Sequence, residues 1–362
     1  MAKKLLLAGY FGFDNSGDDA ILKAMVENLK RENDLELTAL SKDPEKTSKA
    51  YEIKAVNRFS FKEVRREMKE TDIFVFGGGS LLQDITSSRS LYYYLFLLKM
   101  ANHYKKPVFI FANGIGPINK SFNRRLTRRL LDKAAFITLR DQSSYNFVRA
   151  MGLSNKNIEV TADPVFMIES SSEERVEEIL KEQDIELSEN VLGISIRQWK
   201  DSPMLARELA KFCDSLIGED LDILIVPMHY PYDVEYSEQI KILSKNKRIH
   251  VIKSKYEVED LIGLLKKCKL VLAMRLHALI YSAKAGVPII GLIYDPKVAG
   301  LVDELSIREY IRVEDLNREN LKDKYKSAMD GLGERRESIV IANKRQEDFS
   351  KRTIEILRET LL

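Results

Sequence analysis

The stretch KLVLAMRLHALIYSAKAGVPIIGLIYDPK, residues 269–297, decides the fold. KLVLAM is a short apolar run that stops at Arg275. HALIYSAKAG then has a helical pattern closed by Gly286, a residue suited to a helix end. VPIIGLIY is a second unbroken apolar run, followed by Asp295, Pro296 and Lys297. Short continuous apolar strands separated by a helix are the mark of a parallel sheet covered on both faces. Arg275 and His277, one of only four histidines, therefore belong to a strand–helix junction and not to a core. They sit at the carboxyl edge of a sheet, where a helix N-terminus adds positive potential.

Working outward, the same alternation fills the chain. LLLAGY (5–10), LELTAL (35–40), DIFVFGGG (72–79), PVFIFANGIGP (107–117), AFITLRD (135–141) and IEVTADP (158–164) read as strands. Helical patterns such as DDAILKAMVENLKRE (18–32) and NRRLTRRLLDKA separate most of them. After a polar, acidic stretch the pattern restarts with VLGISIRQW (191–199), LDILIVPMHY (221–230) and RIHVIK (248–253). The expected class is α/β, with two Rossmann-type doubly wound domains facing across a cleft. The expected division is 1–168, a linker region 169–190, a second domain 191–333, and a charged C-terminal helix 334–362 that packs back on the first domain.

Composition agrees. A chain of 362 residues suits two domains, and 44% hydrophobic with 31% charged residues of both signs excludes a disordered chain. The net charge of +3 is uneven: residues 1–167 carry 27 Lys/Arg against 19 Asp/Glu, the remainder 31 against 36. A basic first half suits an anionic partner, or reflects only uneven solvation. No nucleic-acid module is present. Cys213 and Cys268 form no disulfide framework or zinc motif, which fits a reducing cytoplasm. The start MAKKLLLAGYFGFDN reads as a first strand and not a signal peptide, since Gly9, Gly12 and Asp14 break its apolar run.

Polar groups gather after the strands. GYFGFDNSGDDA has glycines for tight turns, and Asn15, Ser16 and Asp18 to cap a helix whose free N–H groups could meet an anion or a sugar hydroxyl. Its spacing is neither a dinucleotide fingerprint nor a phosphate loop, and the plainer alternative is a capped turn. FGGGSLLQD permits close backbone approach and supplies Ser80, Gln83 and Asp84. Arg140 ends the strand FITL, where its planar fork suits a carboxylate or phosphate; a surface pair with Asp141 is the alternative. Arg197 and His229 lie near two further strand ends. Arg140, His277 and Lys297 are expected to converge on one cleft.

NSGDDAIL, FGGGSLLQD, the IGP turn, LRDQSS, TADPVF and MRLHALIYSAKAGVPIIGLIYDPK, in this order, resemble the polysaccharide pyruvyl transferase family, and most its CsaB type, which modifies bacterial secondary cell-wall polysaccharide. The resemblance implies a GT-B-like fold and phosphoenolpyruvate as donor, with no separate cofactor and no metal. It implies that a pyruvate ketal is formed on a sugar, N-acetylmannosamine, of a disaccharide linked to undecaprenyl diphosphate. Arg140, His277 and Lys297, with Arg275 beside them, match the donor-binding positions, and His277 is expected to handle protons. Asn15, Gly17, Asp18, Gly78, Gly79 and Gln83 match the acceptor side. Arg124, Arg125, Arg128 and Arg129, on one helix face, suit a peripheral contact at the inner face of the cell membrane. Two readings compete with this one: a GT-B glycosyltransferase or epimerase using a nucleotide sugar, and a non-catalytic sugar-phosphate-binding protein.

Overall fold

Unbroken apolar runs form two parallel sheets, each in its own unit. The structure, a computed structural model, describes residues 2–31, 34–85, 88–200 and 203–362. Glu32, the last residue of the first expected helix, lies outside the described residues. The chain divides into one unit of Met1–Met167 with Gln346–Leu362, and a second of Ile168–Arg345.

In the first unit the strands are β1 (Lys3–Phe11), β2 (Leu35–Ser41), β3 (Lys54–Asn57), β4 (Ile73–Gly77), β5 (Val108–Asn113), β6 (Phe136–Leu139) and β7 (Ile158–Val160). They lie in the order β3-β2-β1-β4-β5-β6-β7, all parallel. The second unit has β8 (Val191–Ser195), β9 (Asp222–Ile225), β10 (Ile249–Val251), β11 (Leu270–Ala273), β12 (Ile289–Ile293) and β13 (Glu309–Arg312). Their order is β10-β9-β8-β11-β12-β13, again parallel. Strand order reverses between β1 and β4 in one sheet and between β8 and β11 in the other. A crevice opens beyond the carboxyl ends of the strands at such a point.

Central strands β4, β5, β8 and β12 are buried along their whole length, as their continuous apolar sequences require. The sequence reading missed β3 and β13. Both are short edge strands, KAVN and EYIR, with part of each exposed, so neither gives an apolar run. The acidic stretch 169–190 contains the helix Glu173–Glu182, which buries Val176, Ile179 and Leu180 and is part of the second unit. Three apolar residues at helical spacing give it a face to bury despite its charge.

The last helix, Leu332–Leu361, begins in the second unit and from Gln346 onward belongs to the first. There Ser350 donates to the Asp163 carbonyl (2.6 Å), and Thr353 donates to the Thr161 hydroxyl (2.8 Å). Among the described residues no helix is long and apolar enough to cross a membrane.

Candidate active site

In the first unit, β1 leads through a glycine turn into the helix Ser16–Lys30. Asn15 is its N-cap: the side-chain oxygen accepts from the Gly17 N–H (3.3 Å), and its amide donates to Asp18 Oδ2 (2.7 Å). Across the reversal, β4 ends in glycines. Gly78 and Gly79 have φ of 76° and 65°. A Cβ on Gly78 would lie 2.0 Å from Ile21 Cγ2, and one on Gly79 would lie 3.0 Å from Asp18 Oδ1. Glycine is thus required for the β4 end to pass the first turn of the helix, which brings Asp18, Asn15, Gly17, Gly78 and Gly79 together. Burial first, then the charges of Asp19 and Asp163, push the Asp18 carboxyl up to about 8 against the opposing pull of Arg58 and Arg140. Gln83 accepts from the Ile85 N–H of its own loop (2.9 Å).

Arg140 follows β6 and is only 7% exposed. It donates through Nη2 to Ser80 Oγ (3.3 Å) and through Nε to Asp141 Oδ2 (3.2 Å), and lies 3.6 Å from Asp163 Oδ2. Asp141 in turn caps the helix Gln142–Ala150. Burial raises the Asp141 carboxyl, but Arg140 and Ser144 outweigh it and hold the group below its ordinary value. A Cβ on Gly114 would come within 2.7 Å of Ser80 Oγ and 2.9 Å of Arg140 Nη2, so glycine makes the space for this network.

In the second unit the LAMRLH junction lies at the carboxyl end of β11, at the reversal. Arg275 is the extended N-cap residue of the helix Leu276–Lys284, which has no side-chain cap. Its Nε and Nη2 both donate to the Asp233 carboxylate, 2.6 Å each. Asp233, 2% exposed, also accepts from the Met228 (3.2 Å) and His229 (2.9 Å) N–H groups. The fork is therefore locked in place. His277 stands half-buried in the first turn of the same helix, its ring 6.1 Å from that of Tyr281. Lys297 is in the first turn of the helix Pro296–Glu304 after β12, but there Asp295 accepts from the Lys297 and Val298 N–H groups (2.9 Å each). One helix start is capped by a carboxylate and the other has no side-chain cap.

Beside it, Trp199 and Tyr294 pack at 4.6 Å, with Arg197 5.8 Å from the Tyr294 ring. Burial chiefly, then Asp295, raises the Tyr294 hydroxyl's pKa, while Arg197 and Arg275 oppose this. Among the described residues, Trp199 Nε1 is a buried donor with no hydrogen-bond partner. Asp233, Trp199 and Tyr294 were not singled out from sequence, although Trp199 is the chain's only tryptophan and stands at a strand end. Among the described residues no group of three His, Cys, Asp or Glu is placed to hold a metal ion.

Arg124, Arg125, Arg128 and Arg129 all fall on the helix Ser121–Leu131. Its Leu130 and Leu131 are buried and Leu126 packs on the core, while Phe122 is exposed. Arg124, Arg125 and Arg128 line a cavity of about 390 Å³ with Phe147 and Met151.

A family profile described as "Polysaccharide pyruvyl transferase" matches residues 15–296. Amylovoran biosynthesis protein AmsJ of Erwinia amylovora is 21% identical, over 84% of this chain and 87% of its own. HepE of Anabaena, solved with UDP-glucose, superposes with a TM-score of 0.67 at 14% identity, covering 98% of this chain and 99% of its own. The UDP-GlcNAc 2-epimerase of Neisseria meningitidis, bound to UDP-GlcNAc, gives 0.65 at 16% identity, covering 98% and 100%. The architecture is thus GT-B-like, two Rossmann-like units with a C-terminal helix. The ligands in those relatives correct the expectations that depended on a phosphoenolpyruvate donor. A pyruvate ketal as product, phosphoenolpyruvate in place of a nucleotide ligand, and a disaccharide on undecaprenyl diphosphate as partner are given up. The family match stands for the family and not for its CsaB type.

Proposed function

The chain belongs to the polysaccharide pyruvyl transferase family, and from that premise we propose a GT-B-like enzyme of polysaccharide assembly that uses a nucleotide sugar. The donor, a UDP-sugar, is held by the second unit and a saccharide acceptor by the first. One observation carries the reading: the Trp199–Tyr294 pair stands beside a helix start that no side chain caps, with Arg275 fixed at its mouth. An aromatic pair suits a base, and the orphaned indole N–H suits a base carbonyl. The free N–H groups and the guanidinium suit a diphosphate.

In this mechanism an acceptor hydroxyl attacks the anomeric carbon. The bond from that carbon to the diphosphate oxygen breaks, and UDP leaves. Arg275, Lys297 and the start of the helix Leu276–Lys284 meet the charge that develops on the diphosphate. His277 stands beside it in the first turn of the same helix. In the first unit, the ionised form of Asp18, which grows as pH rises toward about 8, accepts the proton of a saccharide hydroxyl. Arg140, engaged by Asp141, Ser80 and Asp163, is held rigidly in the first unit and lowers the Asp18 carboxyl against the effect of burial. The reading places the protein in the cytoplasm; the free, buried Cys213 and Cys268 suit that compartment.

Thermal unfolding with UDP, UDP-glucose, UDP-GlcNAc and phosphoenolpyruvate tests the proposal. A ligand at a hundred times its Kd stabilises by about 2.7 kcal/mol. Stabilisation by a uridine compound, weakened in Trp199→Leu, is expected. Stabilisation by phosphoenolpyruvate and by no uridine compound overturns it.

A further inference from the structure

The turn after β1 carries an aromatic surface that the donor chemistry leaves unused. Tyr10 and Phe13 are stacked, centroids 3.9 Å apart with planes 8° from parallel. Phe59 stands edge-on to Phe13 at 6.4 Å and 90°, making a wall beside the pair. Tyr10 is 37% and Phe59 64% exposed, so both reach solvent. Rings of this size are normally buried for the apolar area they remove from water.

Beneath the rings lies a cation. Arg58 is 4% exposed, and its guanidinium is 4.7 Å from the Tyr93 centroid, 5.1 Å from Phe13, 5.6 Å from Phe59 and Tyr94, and 5.9 Å from Tyr10. It donates to the Gly9 carbonyl (2.7 Å) and the Tyr94 hydroxyl (3.2 Å). An apolar residue would fill this space without the penalty of burying charge. What the arginine adds is rigidity: it ties the end of β1 and the surrounding rings into one piece. The surface is thus pre-organised, which lowers the entropy lost on binding.

The rim is polar on one side. The turn runs directly into the helix Ser16–Lys30, whose first turn holds Asp18. Asn15, bonded to Asp18, adds a second hydrogen-bonding side chain. An exposed aromatic corner made by the Tyr10 ring and the Phe59 wall, leading to a carboxyl and an amide, matches one chemical class closely. A pyranose has a face of C–H groups, which are drawn to the electron-rich face of an aromatic ring, and a rim of hydroxyls.

We propose that Tyr10, Phe13 and Phe59, braced by Arg58, form a stacking platform for a pyranose ring of the acceptor glycan, with its hydroxyl edge turned to Asp18 and Asn15. The inference rests on the reading above only in taking the acceptor to be a saccharide; it is independent of the donor.

The test uses the full chain and two probes, triacetylchitotriose and maltotriose, in saturation-transfer NMR titrations. Saturation should reach the ring C–H protons of at least one probe. The Kd for that probe should rise about tenfold, the equivalent of 1.4 kcal/mol, in Tyr10→Ala and in Phe13→Ala. Tyr10→Phe, which keeps the ring and loses the hydroxyl, should bind within about twofold of wild type, or 0.4 kcal/mol. Thermal stabilisation by UDP should be unchanged in all three variants. Equal affinity in wild type and the alanine variants overturns the platform, and so does absence of transfer from wild type to both probes. Absence of UDP stabilisation in wild type, with probe binding by wild type intact, would instead sink the donor reading alone.

Discussion

Asp18 is a carboxyl that the fold keeps protonated close to neutral pH, because burial and two neighbouring carboxylates outweigh Arg58 and Arg140. Its folded pKa, about 8, lies above its ordinary value of 3.8, so between these limits the folded state binds the extra proton. Stability from this group is present at low pH and is lost as pH rises toward 8. The Tm of wild type should therefore fall over that window, and Asp18→Asn should flatten the fall; an unchanged slope would remove the assignment. Arg275 makes the opposite kind of demand. Arg275→Ala strands the Asp233 carboxylate in the interior and should lower unfolding free energy in urea by about 3 kcal/mol; Arg275→Lys, lacking the fork, should recover only part of it. The sequence revealed Arg275 and His277 because a cation and an imidazole interrupt an apolar run at a strand end. It did not reveal Asp233, which meets Arg275 from 42 residues away. Nor did it reveal Arg58, whose cage is drawn from three separate segments. A partner's identity is a tertiary fact with no local period.

Strands and helices were legible where periodicity is strong. The runs that became β4, β5, β8 and β12 are apolar throughout because both sheet faces are covered. Edge strands β3 and β13 lack one neighbour and keep polar residues, so the same rule is silent there. The glycine-rich strand end was readable as close approach, but the atom it approaches was not. Gly78→Ala sets a side chain at positive φ and into Ile21, and should cost at least about 1–3 kcal/mol by chemical denaturation. Helix capping separates the two starts in the second unit. Asp295→Ala should cost about 1 kcal/mol, the ordinary value of an N-cap, and leave the helix Leu276–Lys284 unaffected. Amide exchange in the two first turns would tell them apart.

Two parallel sheets, of seven and six strands, share the same order over six strands and so repeat one architecture, each with a reversal where polar side chains collect. That repetition was visible in the sequence as an alternation that stops and restarts. The path of the chain was less visible: the first unit takes its last piece, Gln346–Leu362, from beyond the second. Deleting residues 346–362 should therefore loosen the segment after β7, where Ser350 and Thr353 bond Asp163 and Thr161, and raise proteolysis there before it touches the second unit. The same path has a consequence for synthesis. A ribosome delivers a chain from its N-terminus, and domains usually fold in that order as they emerge. Here the unit begun first is completed last. Its nascent sheet must wait, with one flank open, while all of Ile168–Arg345 is translated, so the second unit is the first that can finish folding.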